Sequence, residues 1–97
     1  MEKMFLGLKD EIVCVVTPNG DIIGKLLELD ESYVKVGDPR GFIQTQEGVG
    51  FAPSVSMGCA HEPSEVVING TMIITITKSH EEIVKAWRQQ TSGLVTP

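Results

Sequence analysis

One uncharged stretch, VVINGTMIITI over Val66–Ile76, constrains this chain more than any other. Two β-rich runs meet at Asn69-Gly70 with no room for a flexible loop. Turn chemistry alone predicts a two-residue hairpin, because Asn-Gly tolerates positive φ at both positions. The composition of the runs argues otherwise. They are short and apolar nearly throughout, which suits strands buried on both faces, or strands paired at an interface, better than a hairpin with one wet face.

The first half of the chain is also strand-like. Glu11–Thr17 (EIVCVVT) is β-branched and apolar, and Pro18-Asn19-Gly20 ends it with strong turn chemistry. Asp21–Leu29 (DIIGKLLEL) is the second predicted strand, and its internal Gly24 marks a bend or a close backbone approach. Asp30-Glu31-Ser32 forms a polar corner. Tyr33–Val36 is the third strand, closed by Gly37-Asp38-Pro39. Before these strands, Met4, Phe5 and Leu8 share one face of one or two helical turns, which Gly7 weakens by about 1 kcal/mol relative to Ala.

After Val66–Ile76, Ser79-His80-Glu81-Glu82 reads as a capping box with Ser79 and Glu82 as its partners. His80, Ile83, Val84 and Trp87 follow at i, i+3, i+4 and i+7, so the expectation is a helix over about 80–90 with one apolar stripe. Trp87 either packs this helix onto the strands or presents a docking face. Between the two halves lies a long Gly/Pro-rich polar insert, residues 38–63. Phe42–Thr45 extends the third strand in this reading, and Val55–Met57 the fourth, as a protruding hairpin. The insert either binds a partner or is a surface flap.

The chain has 97 residues, enough for one small domain with a modest core. Oligomerisation is a common route by which such a chain gains burial. No apolar run approaches the roughly 20 residues of a membrane span, and no leader peptide is visible, so the expectation is a cytoplasmic protein without a membrane contact. A net charge of −5 excludes a generally basic nucleic-acid footprint. Cys14 falls in a strand and Cys59 in a loop. Cys59 and His61 form a lone C-x-H with no second pair at ligand spacing, so neither a metal site nor a cofactor is expected. No Ser/His/Asp or Cys/His arrangement is legible, so no catalytic residue is assigned and the chain does not read as an enzyme.

Val67-Ile68-Asn69-Gly70, followed by Met72, Ile74 and Ile76, resembles the second motif of the Sm and Sm-like (LSm, Hfq) family. Gly20, Gly24, Leu26, Leu29 and Asp30, with Tyr33-Val34 after them, resemble its first. Gly20 to Gly24 is one residue shorter than the family's spacing, and Val34 stands where the family has Asn. The resemblance covers residues 12–36 and 66–76. It implies a mainly β fold, a small five-stranded, strongly bent open barrel of the Sm-like or SH3-like kind. The whole chain, 1–97, would be one domain with core strands over about 11–37 and 64–78, the 38–63 insert between strands three and four, and a C-terminal helix.

Such a barrel leaves the edges of its fourth and fifth strands unpaired. An uncharged open edge aggregates unless it is covered or paired. The resemblance implies that the fourth strand of one subunit pairs with the fifth of the next, a head-to-tail contact that closes into a homo-oligomeric ring. It also implies single-stranded RNA at the inner rim, held by stacking, amide hydrogen bonds and cationic support. By position, Asp30 orients the corner, Ser32 takes the stacking place, Val34 the Asn place and Asn69 the Arg place. Gly70 keeps the backbone tight, and Tyr33 and Lys35 lie nearby. Ser32 cannot stack, Val34 cannot hydrogen-bond and Asn69 has no charge, so an RNA-binding ring of this chain would have an altered base preference. Lys35 or Arg40 would supply phosphate contacts. The alternative is a ring-forming structural or protein-interaction module that has lost the RNA pocket and meets a protein partner through 38–63 or the helix.

Overall fold

A computed structural model describes residues 6–52, 55 and 58–91. It is a mainly antiparallel β structure followed by one helix. The strands are β1 (Ile12–Thr17), β2 (Gly20–Leu29), β3 (Tyr33–Thr45), β4 (Gly48–Phe51), β5 (Glu65–Asn69) and β6 (Thr75–Lys78); the helix α1 is Glu81–Thr91. The sheet order is β4-β3-β2-β1-β6, with β5 also on β3, and the sheet is not closed. β4 and β5 share one edge of β3. β4 pairs through Phe42↔Phe51 to Thr45↔Gly48, and β5 through Tyr33↔Asn69 to Gly37↔Glu65.

β1 explains the two-layer burial. Its residues alternate between two apolar clusters, as a period of two requires. Val13 and Val15 join Leu26, Val34, Val36 and Ile76 in one core, with Leu8, Val66, Ile68 and Ile73 packed against it. Ile12 and Cys14 face the other way, toward Ile23, Trp87, Phe42, Phe51, Ile83 and Val84. A strand covered on both faces reads as an unbroken apolar run, and IVCVVT is one. β2 turns between these layers through register shifts at Ile23/Lys25 and Leu26/Glu28. Gly24 sits in the first, where its lack of a side chain lets Val36 and the Gly37 carbonyl approach.

The described sheet contains six strands where five were expected; the additional strand is β4, which pairs with the extension of β3 expected over Phe42–Thr45. β3 does not stop at Gly37-Asp38-Pro39 but runs on to Thr45. Proline breaks a strand only where it removes a ladder bond. Pro39 faces the β2 irregularity on one side and the gap between β4 and β5 on the other, so it removes none. Asp38 takes a positive φ of 46° at this kink. The hairpin expected in the insert is present, but its second strand is Gly48–Phe51. Val55 lies outside any strand, and Ser56 and Met57 fall outside the described residues.

Asn69-Gly70 does not turn a hairpin. A short 3₁₀ turn, Gly70–Met72, separates β5 from β6, and the two strands go to opposite ends of the sheet, β5 to β3 and β6 to β1. Nor are they buried on both faces within the chain. β5 alternates between exposed and half-buried positions, and in β6 only Ile76 is buried.

The helix begins one residue later than its capping box predicts. The Ser79 amide still donates to the Ile12 carbonyl at 3.0 Å, which holds Ser79 in line with β6. His80 is the cap instead: its Nδ1 accepts from the Glu82 amide at 3.1 Å. Ser79 Oγ is buried without a hydrogen-bond partner, and His80 is exposed, outside the stripe of Ile83, Val84 and Trp87. Trp87 is buried, and its Nε1–H donates to the Asp38 carbonyl at 2.9 Å, tying the helix to the β3 kink. At the other end, Leu8 sits in a 3₁₀ turn, Leu6–Leu8; Met4 and Phe5 lie outside the described residues. No described helix is long and apolar enough to cross a membrane.

Candidate functional site

The corner between β2 and β3 and the turn after β5 come together. The Gly70 amide donates to the Ser32 carbonyl at 2.9 Å. A Cβ on Gly70 would lie 3.2 Å from the Ser32 carbonyl carbon and oxygen, so glycine permits this approach. The corner is closed from within: the Asp30 amide donates to the Tyr33 carbonyl at 2.9 Å, and the Glu31 amide to Asp30 Oδ1 at 2.8 Å. Asn69 is exposed, and its side-chain oxygen is committed to the adjoining turn. Its Oδ1 accepts from the Thr71 amide and the Thr71 hydroxyl, each at 3.0 Å.

The seven residues singled out in the sequence therefore divide into three groups. Asp30, Ser32, Asn69 and Gly70 form the corner and its facing turn. Val34 is 2% exposed and belongs to the core, so its side chain offers nothing to a ligand at the rim. Tyr33 and Lys35, which alternate with Val34 along β3, project from the opposite face of the sheet.

On that face Lys35 is already engaged. Its Nζ lies 3.1 Å from Glu28 Oε2 and 3.5 Å from Glu65 Oε1. The Tyr33 hydroxyl donates to the other Glu28 oxygen at 3.2 Å. The hydrogen bond from Lys35, then that from Tyr33, then the Lys35 charge hold the Glu28 carboxyl below its ordinary value. The Glu28 hydrogen bond raises Lys35 in turn, helped by the charges of Glu65 and Glu28. Tyr33 is raised by its hydrogen bond to Glu28 and by that carboxylate's charge. One cation shared between two carboxylates presents no positive field to a phosphate.

Glu28 and Glu65 were not legible as part of this group. Glu28 stands directly across from Lys35, and the pairing follows only from a register displaced by two β2 irregularities. Arg40 sits elsewhere, buried in β3 at 4% exposure. It is not among the corner residues. No protein-family model matches this chain, and no curated protein matches it.

Proposed function

We propose that this chain is an Sm-like subunit whose copies join edge to edge in a homo-oligomeric ring, and that the ring serves as a structural or protein-interaction module. The observation that carries the reading is the pair of open strand edges. Among the described residues nothing pairs with the outer side of β5 or of β6. Their neighbourhood exposes Val67 (60%), Met72 (44%) and Ile74 (66%). Edges this apolar are liabilities unless another chain covers them. β5 of one copy against β6 of the next satisfies both, and the contact is heterologous, as a ring requires. Residues of β1, β2, β3 and β6 meeting in one core support a sheet curled into a small open barrel.

Native mass spectrometry at micromolar concentration should give a single closed oligomer. A lysine at Ile74, on the exposed side of the turn into β6, should lower the oligomer's stability while leaving the chain folded. A stable monomer of the unaltered chain would end the proposal.

The closeness of the Asp30–Tyr33 corner to the Asn69-Gly70 turn favours a second reading, RNA binding at the inner rim. Against it stand the engaged Lys35, the Asn69 side-chain oxygen taken up by Thr71 and the net charge of −5. Anisotropy titrations with oligo(U), oligo(A) and mixed-sequence RNA decide between the two. Salt-sensitive binding supports the RNA reading, and flat signals at high protein concentration leave the protein-interaction module.

A further inference from the structure

The start of α1 holds the parts of two different caps, and the fold uses one of them. His80 Nδ1 accepts from the Glu82 amide at 3.1 Å, which requires a neutral ring with its lone pair on that nitrogen. The His80 carbonyl accepts from the Ile83 and Val84 amides, each at 2.9 Å, so Ile83 is held by the tighter bond of a 3₁₀ turn. Ser79, one residue earlier, belongs to the sheet: its amide donates to the Ile12 carbonyl at 3.0 Å. Its Oγ is buried and has no hydrogen-bond partner among the described residues. A buried hydroxyl left unpaired destabilises this arrangement.

Ser79-His80-Glu81-Glu82 nonetheless carries the residues of a capping box. In a box the Ser79 hydroxyl accepts from the Glu82 amide, and the Glu82 carboxylate accepts from the Ser79 amide. The Ile83 amide then moves to the Ser79 carbonyl, and the helix gains one residue. Ser79 has one amide hydrogen, so it cannot serve Ile12 and Glu82 together. Both caps also draw on the same Glu82 amide. The two arrangements therefore exclude each other. Their acceptors differ in one respect: a serine hydroxyl accepts at any ordinary pH, whereas histidine Nδ1 accepts only while unprotonated.

We propose that residues 79–82 are a pH-operated switch: neutral His80 caps α1 while Ser79 stays bound to β1, and protonated His80 yields the cap to Ser79, which leaves Ile12. His80 is exposed, so protons reach it. Protonation makes Nδ1 a donor that faces the Glu82 N–H, and it adds a positive charge at the helix end that disfavours one. The exchange releases the bond that ties the chain after β6 to β1, so the end of β6 loosens as pH falls. The charged groups around this turn are Glu81 and Glu82 on α1, Lys78 on β6, Glu11 on β1 and Lys25, which stands across from Ile12 on β2. All five are the same in the parent and in Ser79→Ala, so a comparison of these two chains at one pH isolates the cap. The switch does not depend on ring assembly.

The test melts the whole chain and Ser79→Ala at about pH 8 and at about pH 5, on either side of the range in which histidines titrate. At the higher pH, Ser79→Ala should melt at or above the parent, because it removes an unpaired buried hydroxyl and no bond. At the lower pH it should melt several degrees below the parent, because the replacement cap is gone. A difference between the two chains that does not change with pH overturns the proposal. His80→Asn supplies a cap that does not titrate. In that background the effect of Ser79→Ala should be independent of pH, and a change with pH that persists there overturns the role of His80.

NMR reads the bond itself. The coupling across the hydrogen bond from the Ser79 amide nitrogen to the Ile12 carbonyl carbon should be present at about pH 8 and lost at about pH 5. Its persistence once the His80 ring signals show protonation overturns the switch, even where α1 loses stability on acidification.

Discussion

Gly24→Ala is the sharpest probe of how β2 and β3 are joined. A Cβ at this position would overlap Val36 Cγ1, lie 2.8 Å from the Gly37 carbonyl oxygen and lie 3.3 Å from Pro39 Cα. Relaxed carbon contacts sit at about 3.5–4.0 Å. Val36 is fully buried and cannot swing toward solvent. The Gly37 carbonyl belongs to a backbone held by Lys25 on one side and Glu65 on the other. Overpacking costs about 1–3 kcal/mol, and two of these three obstacles are main chain, which places the cost near the upper end. The alanine also reduces the unfolded chain's freedom, an offset of about 0.4–1 kcal/mol. The net expectation is a loss of about 2 kcal/mol, or roughly 8–16 °C in melting temperature for a domain of this size.

Urea titrations followed by circular dichroism at fixed protein concentration measure that loss. A cycle with Val36→Ala then tests its cause. Removing Cγ1 takes away the first obstacle, so Gly24→Ala should cost about 1 kcal/mol less in the Val36→Ala background. A Gly24→Ala variant within about 0.5 kcal/mol of the parent would refute the close approach. Strict additivity in the cycle would refute the part assigned to Val36.

Lys35→Met should raise the titration midpoint of Glu28, read by carboxyl NMR, because the lysine's hydrogen bond and charge hold it below its ordinary 4.5. A carboxyl lowered in the folded state stabilises the fold above its unfolded value, and that contribution vanishes as pH falls through the folded value. The stability gap between parent and Lys35→Met should therefore narrow on acidification below about 4.5; a gap that widens there contradicts the assignment. Cys14 should resist alkylation by neutral-pH thiol reagents while the exposed Cys59 reacts quickly. Burial, the neighbouring Asp21 charge and a hydrogen bond to Asp21 push the Cys14 thiol up to about 11, so little reactive thiolate forms near neutrality. Equal labelling rates for the two cysteines in the folded protein would show that this protection is absent.

Local chemistry decided several elements directly. The apolar run IVCVVT, the Pro18-Asn19 turn and the spacing of Ile83, Val84 and Trp87 each carry their own period or turn signal, and β1, β2 and α1 lie within one residue of where those signals put them. The chain also shows in its letters that Val66–Ile76 has no charge to protect an open edge. Other features depended on partners distant in sequence. Pro39 reads as a terminator, yet it is harmless because neither neighbouring strand needs its amide. The β3–β4 hairpin turns at Gln46-Glu47, which lacks the Asn-Gly or Asp-Gly signature of a two-residue loop. The helix cap passed from Ser79 to His80 because Ser79 was already held by Ile12.

Composition and periodicity by themselves determined that this chain makes short apolar strands and one amphipathic helix, since those properties belong to neighbouring residues. Only the tertiary structure decided that Lys35 is bound by Glu28 and Glu65, that Val34 is interior, and that Arg40 is buried beside a parting of strands. Each of these depends on cross-strand register, and register follows from bulges and long-range packing that no local pattern specifies.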